Sequence, residues 1–284
     1  MMILLNGKKM NFQKYPNGEL FFRVEDLPLD FDEYRMLVKV IEFTLKYEDD
    51  SDLIHLMFLK KYIDQVFKGY AIILNILYMP YSRLDRAEAG FAFTLKYVCE
   101  LINSLGFEEV TVNEPHSDVC VALLNNCRVK GLVEGVFHDM REKGEFEFNN
   151  ERDFIYFPDA SAEKRYAKLF PGFRHLVGFK HRDFATGKIT SLTIVGGDAE
   201  PPEVFNVVMV DDLASKGFTF LLGAEKLKAL GADKIYLIVG HCEDSVHQGK
   251  LLESDLITKI FTTDSILTIP HDKIKVCSLI KSNN

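Results

Sequence analysis

The feature that most constrains this chain is a repeated alternation of short, β-branched apolar runs with helix-like stretches. Ala71–Tyr78 (AIILNILY), Glu109–Asn113 (EVTVN), Asp153–Phe157 (DFIYF), Phe205–Val210 (FNVVMV) and Lys234–Val239 (KIYLIV) read as buried strands. Between them, Phe93–Leu105, Ala162–Leu169 and Thr219–Leu230 place apolar residues at helical spacing, with Gly106 and Gly231 as helix stops. Strands apolar on both faces need cover above and below, and a helix is the usual crossover between parallel strands. The expected fold class is therefore α/β, with parallel sheets flanked by helices. A chain of 284 residues, 47% hydrophobic, suffices for one large or two mid-sized cores. The polar stretch Asp139–Asn150 (DMREKGEFEFNN) lacks apolar periodicity and reads as the join, which gives domains at 1–138 and 139–284. No internal repeat or low-complexity segment competes with that division.

Charge and cysteine usage narrow the function. A net charge of −8 leaves no broad basic footprint for nucleic acid. An anionic substrate then has to be held by a few placed basic groups and a metal. The cysteines Cys99, Cys120, Cys127, Cys242 and Cys277 are scattered without a C-x-x-C pair, so neither a disulfide framework nor a zinc site is indicated. No uncharged run reaches roughly 18 residues and the N-terminus lacks a signal-peptide layout, so a cytoplasmic protein without a membrane partner is expected.

Ligands of open parallel sheets sit beyond the carboxyl ends of the strands. Polar clusters follow five of these strand ends: Pro80-Tyr81-Ser82-Arg83, Glu114-Pro115-His116, Pro158-Asp159-Ala160, Asp211-Asp212 and Gly240-His241. The richest is Val207-Val208-Met209-Val210-Asp211-Asp212-Leu213-Ala214-Ser215-Lys216-Gly217-Phe218-Thr219. Its acids can accept from sugar hydroxyls, while the loop amides and the following helix N-terminus can hold a phosphate. Paired acids after a strand also serve as plain helix caps, and a lone histidine there is usually structural. The K-x-R pair at Lys180 and Arg182 is equally open to a solvated-loop reading, and Lys46–Leu53 (KYEDDSDL) reads as an exposed acidic helix start.

The Asp211–Thr219 segment resembles the phosphate-binding loop shared by type I phosphoribosyltransferases and phosphoribosyl pyrophosphate (PRPP) synthetases. Five further segments, in the same order along the chain, resemble the synthetases alone. Pro80-Tyr81-Ser82-Arg83-Leu84-Asp85-Arg86 is similar to their PYARQD segment, and Asn113-Glu114-Pro115-His116-Ser117-Asp118 to their MDLHA segment. Pro158-Asp159-Ala160-Ser161-Ala162-Glu163-Lys164-Arg165 looks like PDAGGAKR. Lys180-His181-Arg182 falls where the family carries a mobile catalytic loop, and Tyr15-Pro16-Asn17-Gly18-Glu19 resembles its F-x-[DN]-x-E segment.

This resemblance implies two phosphoribosyltransferase-like domains, with ATP on the first and a ribose phosphate on the second. It implies pyrophosphoryl transfer from ATP to the C1 hydroxyl of ribose 5-phosphate, with Mg2+ held at His116 and Asp159. Lys180, Arg182 and His116 take catalytic roles. Arg83, Asp85, Arg86 and His116 bind ATP, with Tyr15, Asn17 and Glu19 completing the site of a neighbouring subunit in a homodimer or larger homo-oligomer. Asp211, Asp212, Ser215, Lys216, Gly217, Phe218 and Thr219 bind the ribose phosphate. Leu84 replaces the family's glutamine, Ala87-Glu88-Ala89-Gly90-Phe91 replaces its basic regulatory stretch, and both termini are short. Ser215-Lys216-Gly217-Phe218-Thr219 replaces a loop of smaller residues, and its cation and ring suit a longer 5′ group. ADP-ribose, which some viral members of the family pyrophosphorylate, is therefore the alternative acceptor, and a non-catalytic synthetase-associated subunit is the further alternative.

Overall fold

The computed structural model describes residues 2–28, 39–88, 90–182, 189–196 and 201–280; of His181, Arg182, Ile189 and Thr190 it describes the backbone alone. The chain divides into two compact units, Met1–Lys130 with Leu279–Asn284, and Gly131–Ser278.

In the first unit, β1 (Met2–Leu5) turns back on β2 (Lys8–Lys9) through Asn6-Gly7, both at positive φ, as a tight two-residue hairpin requires. A separate small hairpin pairs β3 (Gln13–Lys14) with β4 (Leu20–Phe21). β5 (Val40–Lys46), β6 (Ala71–Ile76), β7 (Glu109–Asn113) and β8 (Cys127–Lys130) are mutually parallel and complete a sheet of order β2-β1-β5-β6-β7-β8. The helices α1 (Ser51–Val66), α2 (Thr94–Ser104) and α3 (Asp118–Leu123) return the chain between those strands. Ile3, Phe43, Leu56, Leu74, Val98 and Val112 sit in the core that results. The Lys46–Leu53 stretch is not the exposed helix start that its charge suggests. Lys46 and Asp52 are buried, and Asp52 Oδ2 accepts from the amides of Glu48 and Asp49 at 2.8 and 3.2 Å, closing the turn into α1.

The second unit opens with α4 (Val133–Glu142), which packs on the sheet of this unit. The position 138/139 thus falls inside a helix, and the units divide at Lys130/Gly131 instead. Asp139–Asn150 is likewise no free join, because Met140 and Phe146 are buried in a core with Phe137, Tyr236 and Phe261. The sheet contains β9 (Phe154–Phe157), β10 (Arg174–Arg182), β11 (Ile189–Gly196), β12 (Phe205–Ala214), β13 (Ala232–Cys242), β14 (Lys259–Thr263) and β15 (Ile274–Cys277). Its order is β11-β10-β9-β12-β13-β14-β15, and β10–β11 is the antiparallel pair in an otherwise parallel sheet. α5 (Ala160–Tyr166) follows β9 and α6 (Phe218–Ala229) follows β12, so each strand–helix junction opens on the carboxyl edge. Gly106 and Gly231 follow α2 and α6 at φ +67° and +101°, the left-handed region that ends helices.

Candidate active site

In the second unit the parallel register of β9 with β10, Phe157 opposite Val177, carries Asp159 and Lys180 out of the same edge. Lys180 donates from Nζ to Asp159 Oδ2 at 2.9 Å. The other oxygen, Oδ1, accepts from the Ser161 and Ala162 amides, each at 3.1 Å, which makes Asp159 the N-cap of α5. Burial pushes the Asp159 carboxyl up, but the Lys180 ammonium and the two amides together pull it below its ordinary value. Asp159 is therefore an ionised carboxylate at neutral pH.

Lys180 is not in a loop. β10 continues through Arg182 in antiparallel pairing with β11, Lys180 opposite Leu192, and a register shift falls between His181 and Arg182. The run Leu176-Val177-Gly178-Phe179 has strand propensity, and an edge pairing with β11 extends it past the charged residues. The expected loop beyond it, 183–188, lies outside the described residues.

The acid pair also lies on a strand. β12 runs past Val210 because β13 keeps pairing with it, Asp211 opposite Val239 and Ala214 opposite Cys242. Asp211 accepts the Asp212 amide at 2.9 Å, and Asp212 Oδ2 lies 3.9 Å from Arg165 of α5. Burial, reinforced by the charges of Asp212 and Asp159, pushes the Asp211 carboxyl well above its ordinary value. Burial, and then the nearby charges of Asp159 and Asp211, push the Tyr156 phenol up.

After the acids, Ser215–Thr219 turns into α6. Gly217 is the N-cap at φ +79°, and a Cβ there would lie 2.7 Å from the Leu251 side chain. The turn is pinned from behind: Ser215 Oγ lies 2.9 Å from Ser245 Oγ, which donates to Glu243 Oε2 at 2.8 Å. Gly249 allows the Lys216 carbonyl to approach where a Cβ would stand 2.0 Å from its oxygen. The first amides of α6 have no intrahelical acceptor, so this turn presents donors at the positive end of a helix. Lys216 and Phe218 are exposed beside it, Phe218 at 66%. His241 is a buried structural residue whose Nδ1 lies 2.7 Å from Ser265 Oγ.

In the first unit, β6 and β7 are adjacent and parallel, so Arg83, Asp85 and Arg86 leave the same sheet edge as His116. Arg83 is exposed, and Arg86 pairs with Glu88 at 2.7 Å in an exposed contact. His116 is half-buried, between Glu114 at φ +37° and Ser117, whose Oγ caps α3. Tyr15, Asn17 and Glu19 form the tip of the β3–β4 hairpin. The Tyr15 amide donates to the Glu19 carbonyl, Asn17 Oδ1 accepts the Glu19 amide at 3.2 Å, and the exposed Tyr15 ring stacks on Phe21 at 4.4 Å. Asp159, Lys180 and Asp211 are thus brought together, whereas His116 and Asp159 belong to separate units. Tyr156 reads as core within the Asp153–Phe157 run, and Arg165 entered only as the last residue of the Pro158–Arg165 segment, so neither was given a role from sequence. Among the described residues, no three His, Cys, Asp or Glu side chains form a metal-holding group, and no helix is long and apolar enough to cross a membrane.

Comparison with known proteins identifies the class. The fold matches the crystal structure of phosphoribosylpyrophosphate synthetase from Mycobacterium smegmatis with a TM-score of 0.67, at 16% identity, over 95% of this chain and 86% of that one. Fold and site together define an α/β protein of two phosphoribosyltransferase-like domains. Residues 186–283 match the family model of the phosphoribosyl synthetase-associated domain. Ribose-phosphate pyrophosphokinase 2 of Archaeoglobus fulgidus is 29% identical over 278 residues, 96% of this chain and 89% of the relative. Ribose-phosphate pyrophosphokinase of Sulfolobus acidocaldarius is 27% identical over 274 residues, 94% of this chain and 87% of the relative. The chain is thus similar to PRPP synthetases along nearly its whole length.

Proposed function

We propose that this protein is an ATP-dependent pyrophosphokinase that transfers the β,γ-pyrophosphoryl group to the C1 hydroxyl of ribose 5-phosphate, releasing AMP. The observation that carries this reading is the 2.9 Å Lys180–Asp159 pair, on the sheet edge that also presents Asp211, Asp212 and the open start of α6. Relatives named ribose-phosphate pyrophosphokinase support it over nearly the whole chain.

Pyrophosphoryl transfer needs positioning and charge neutralisation more than covalent help. Arg83, Asp85, Arg86 and His116 hold ATP, and Tyr15, Asn17 and Glu19 reach the ATP of a neighbouring subunit in a homo-oligomer. Lys180 and Arg182 meet the negative charge that develops on the transferred group. Asp211 and Asp212 take the ribose hydroxyls. The Ser215–Thr219 turn holds the 5′-phosphate on its amides.

Asp159, an ionised carboxylate in the second unit, would offer Mg2+ a hard oxygen, with phosphate oxygens as further ligands. When bound, Mg2+ neutralises charge on the phosphate oxygens.

Phe218 and Lys216, exposed at the phosphate turn, favour ADP-ribose as a second acceptor, with the cation on its second phosphate and the ring against adenosine. A coupled AMP-release assay with ATP, Mg2+ and each acceptor tests both. Faster AMP release with ribose 5-phosphate is expected; preference for ADP-ribose moves the acceptor assignment, and no release with either leaves a non-catalytic subunit.

A further inference from the structure

The turn that carries Arg83 is tied to a carboxylate 31 residues before Tyr81 in the chain. Tyr81 stands at φ +61°, a conformation that a bulky L-residue holds only when its surroundings impose it. Its carbonyl accepts from the Leu84 amide at 3.2 Å, so the conformation of Tyr81 sets the turn in which Arg83 sits. On either side, Met79 and Ser82 are buried, which anchors the segment while Arg83 stays exposed.

The Tyr81 side chain is bonded to Asp50. Its Oδ1 accepts from the Tyr81 hydroxyl and, at 2.6 Å, from the Tyr47 hydroxyl, with the two rings 6.4 Å apart. Both donate to an ionised acceptor, the stronger kind of hydrogen bond. The two phenols pull the Asp50 carboxyl below its ordinary value, and the carboxylate in turn favours the protonated state of Tyr81.

Asp50 occupies the N-cap position of α1 yet makes no side-chain cap bond. An aspartate there ordinarily accepts from the helix amides. Those duties fall to its neighbours: Asp49 Oδ1 accepts the Ser51 amide at 2.8 Å, and Asp52 closes the preceding turn. The Asp50 carboxylate is therefore spent on the two tyrosines.

We propose that Asp50 is a positioning residue, whose carboxylate holds Tyr81 in the left-handed conformation and so aims the Arg83 turn at the ATP phosphates. This rests on the pyrophosphokinase reading. The test is a cycle of Asp50→Ala, Tyr81→Gly and the double variant, with Asp50→Asn as the conservative control.

Asp50→Ala should raise KM for ATP about tenfold, the effect of losing one strong hydrogen bond, with kcat within about threefold. Asp50→Asn should recover much of that, because the amide oxygen still accepts from both phenols. In the Tyr81→Gly background, Asp50→Ala should add little to KM or to the loss in Tm, because glycine takes positive φ unaided. An unchanged KM for ATP in Asp50→Ala, or equal Tm losses in both backgrounds of an active parent, overturns the positioning role alone. A parent that releases no AMP overturns the aim at ATP together with the pyrophosphokinase reading.

Discussion

Replacing Lys180 with alanine separates the structural work of one ammonium group from the catalytic role proposed for it. The pair with Asp159 is partly open to solvent, with side-chain exposures of 15% for Lys180 and 41% for Asp159. Screening at that exposure limits its contribution to stability to about 1 kcal/mol. Asp159 would also keep its two amide donors. In a domain of this size, that loss lowers Tm by roughly 2–4 °C.

Loss of one donor to transition-state charge is a larger effect, about 10²–10³-fold in kcat, or roughly 3–4 kcal/mol. KM for ATP should move by less than about threefold, since a group that acts only in the transition state leaves ground-state binding alone. The stability loss has a pH signature of its own. Asp159 titrates below its ordinary value when folded, so its contribution is present above the unfolded carboxylate pKa and lost as pH falls through the depressed one. The Tm difference between parent and Lys180→Ala should therefore close in acid. Differential scanning fluorimetry from pH 3 to 8, beside AMP-release kinetics at saturating ATP and acceptor, reads both effects. A kcat within about threefold of the parent, with the Tm loss intact, would show a plain surface ion pair and refute the catalytic role.

The remaining predictions concern the acceptor side. Asp211 is pushed well above the usual carboxylate range in the folded protein, so stability falls as pH rises from the unfolded value through the folded one. Asp211→Asn removes that charge and keeps an acceptor for the Asp212 amide, so Tm should rise at pH 7–8 and not at pH 4, while KM for the acceptor increases. A Tm gain equal at both pH values would show that ionisation is not the cause. Gly217→Ala combines a strained φ of +79° with a Cβ 2.7 Å from Leu251, so urea unfolding should show a loss of roughly 2–3 kcal/mol. An unchanged midpoint would mean that the turn relaxes freely.

Sequence by itself determined the elements whose residues are of one kind. β9 is apolar along its length and β6 is apolar except at Asn75, while α2 and α6 end at glycines, so local pattern marks them without reference to any partner. The order of the polar clusters along the chain likewise carried the family resemblance. Tertiary structure alone decided where the strands stop and which side chains meet. β12 continues through two aspartates because β13 pairs with it residue by residue, and β10 carries Lys180 because β11 lies beside it. Hydrogen bonds between strands override the local preference of a charged residue for a loop. Asp159 finds Lys180 across 21 residues and Asp50 finds Tyr81 across 31, in each case because neighbouring strands open on one edge. Asp52, within the stretch read as an exposed helix start, is buried and accepts amides, and Lys60 is buried and bonded to Asp64 at 2.7 Å. A sequence records which groups can bond, but burial and register are properties of chain segments brought together, and only the folded chain determines them.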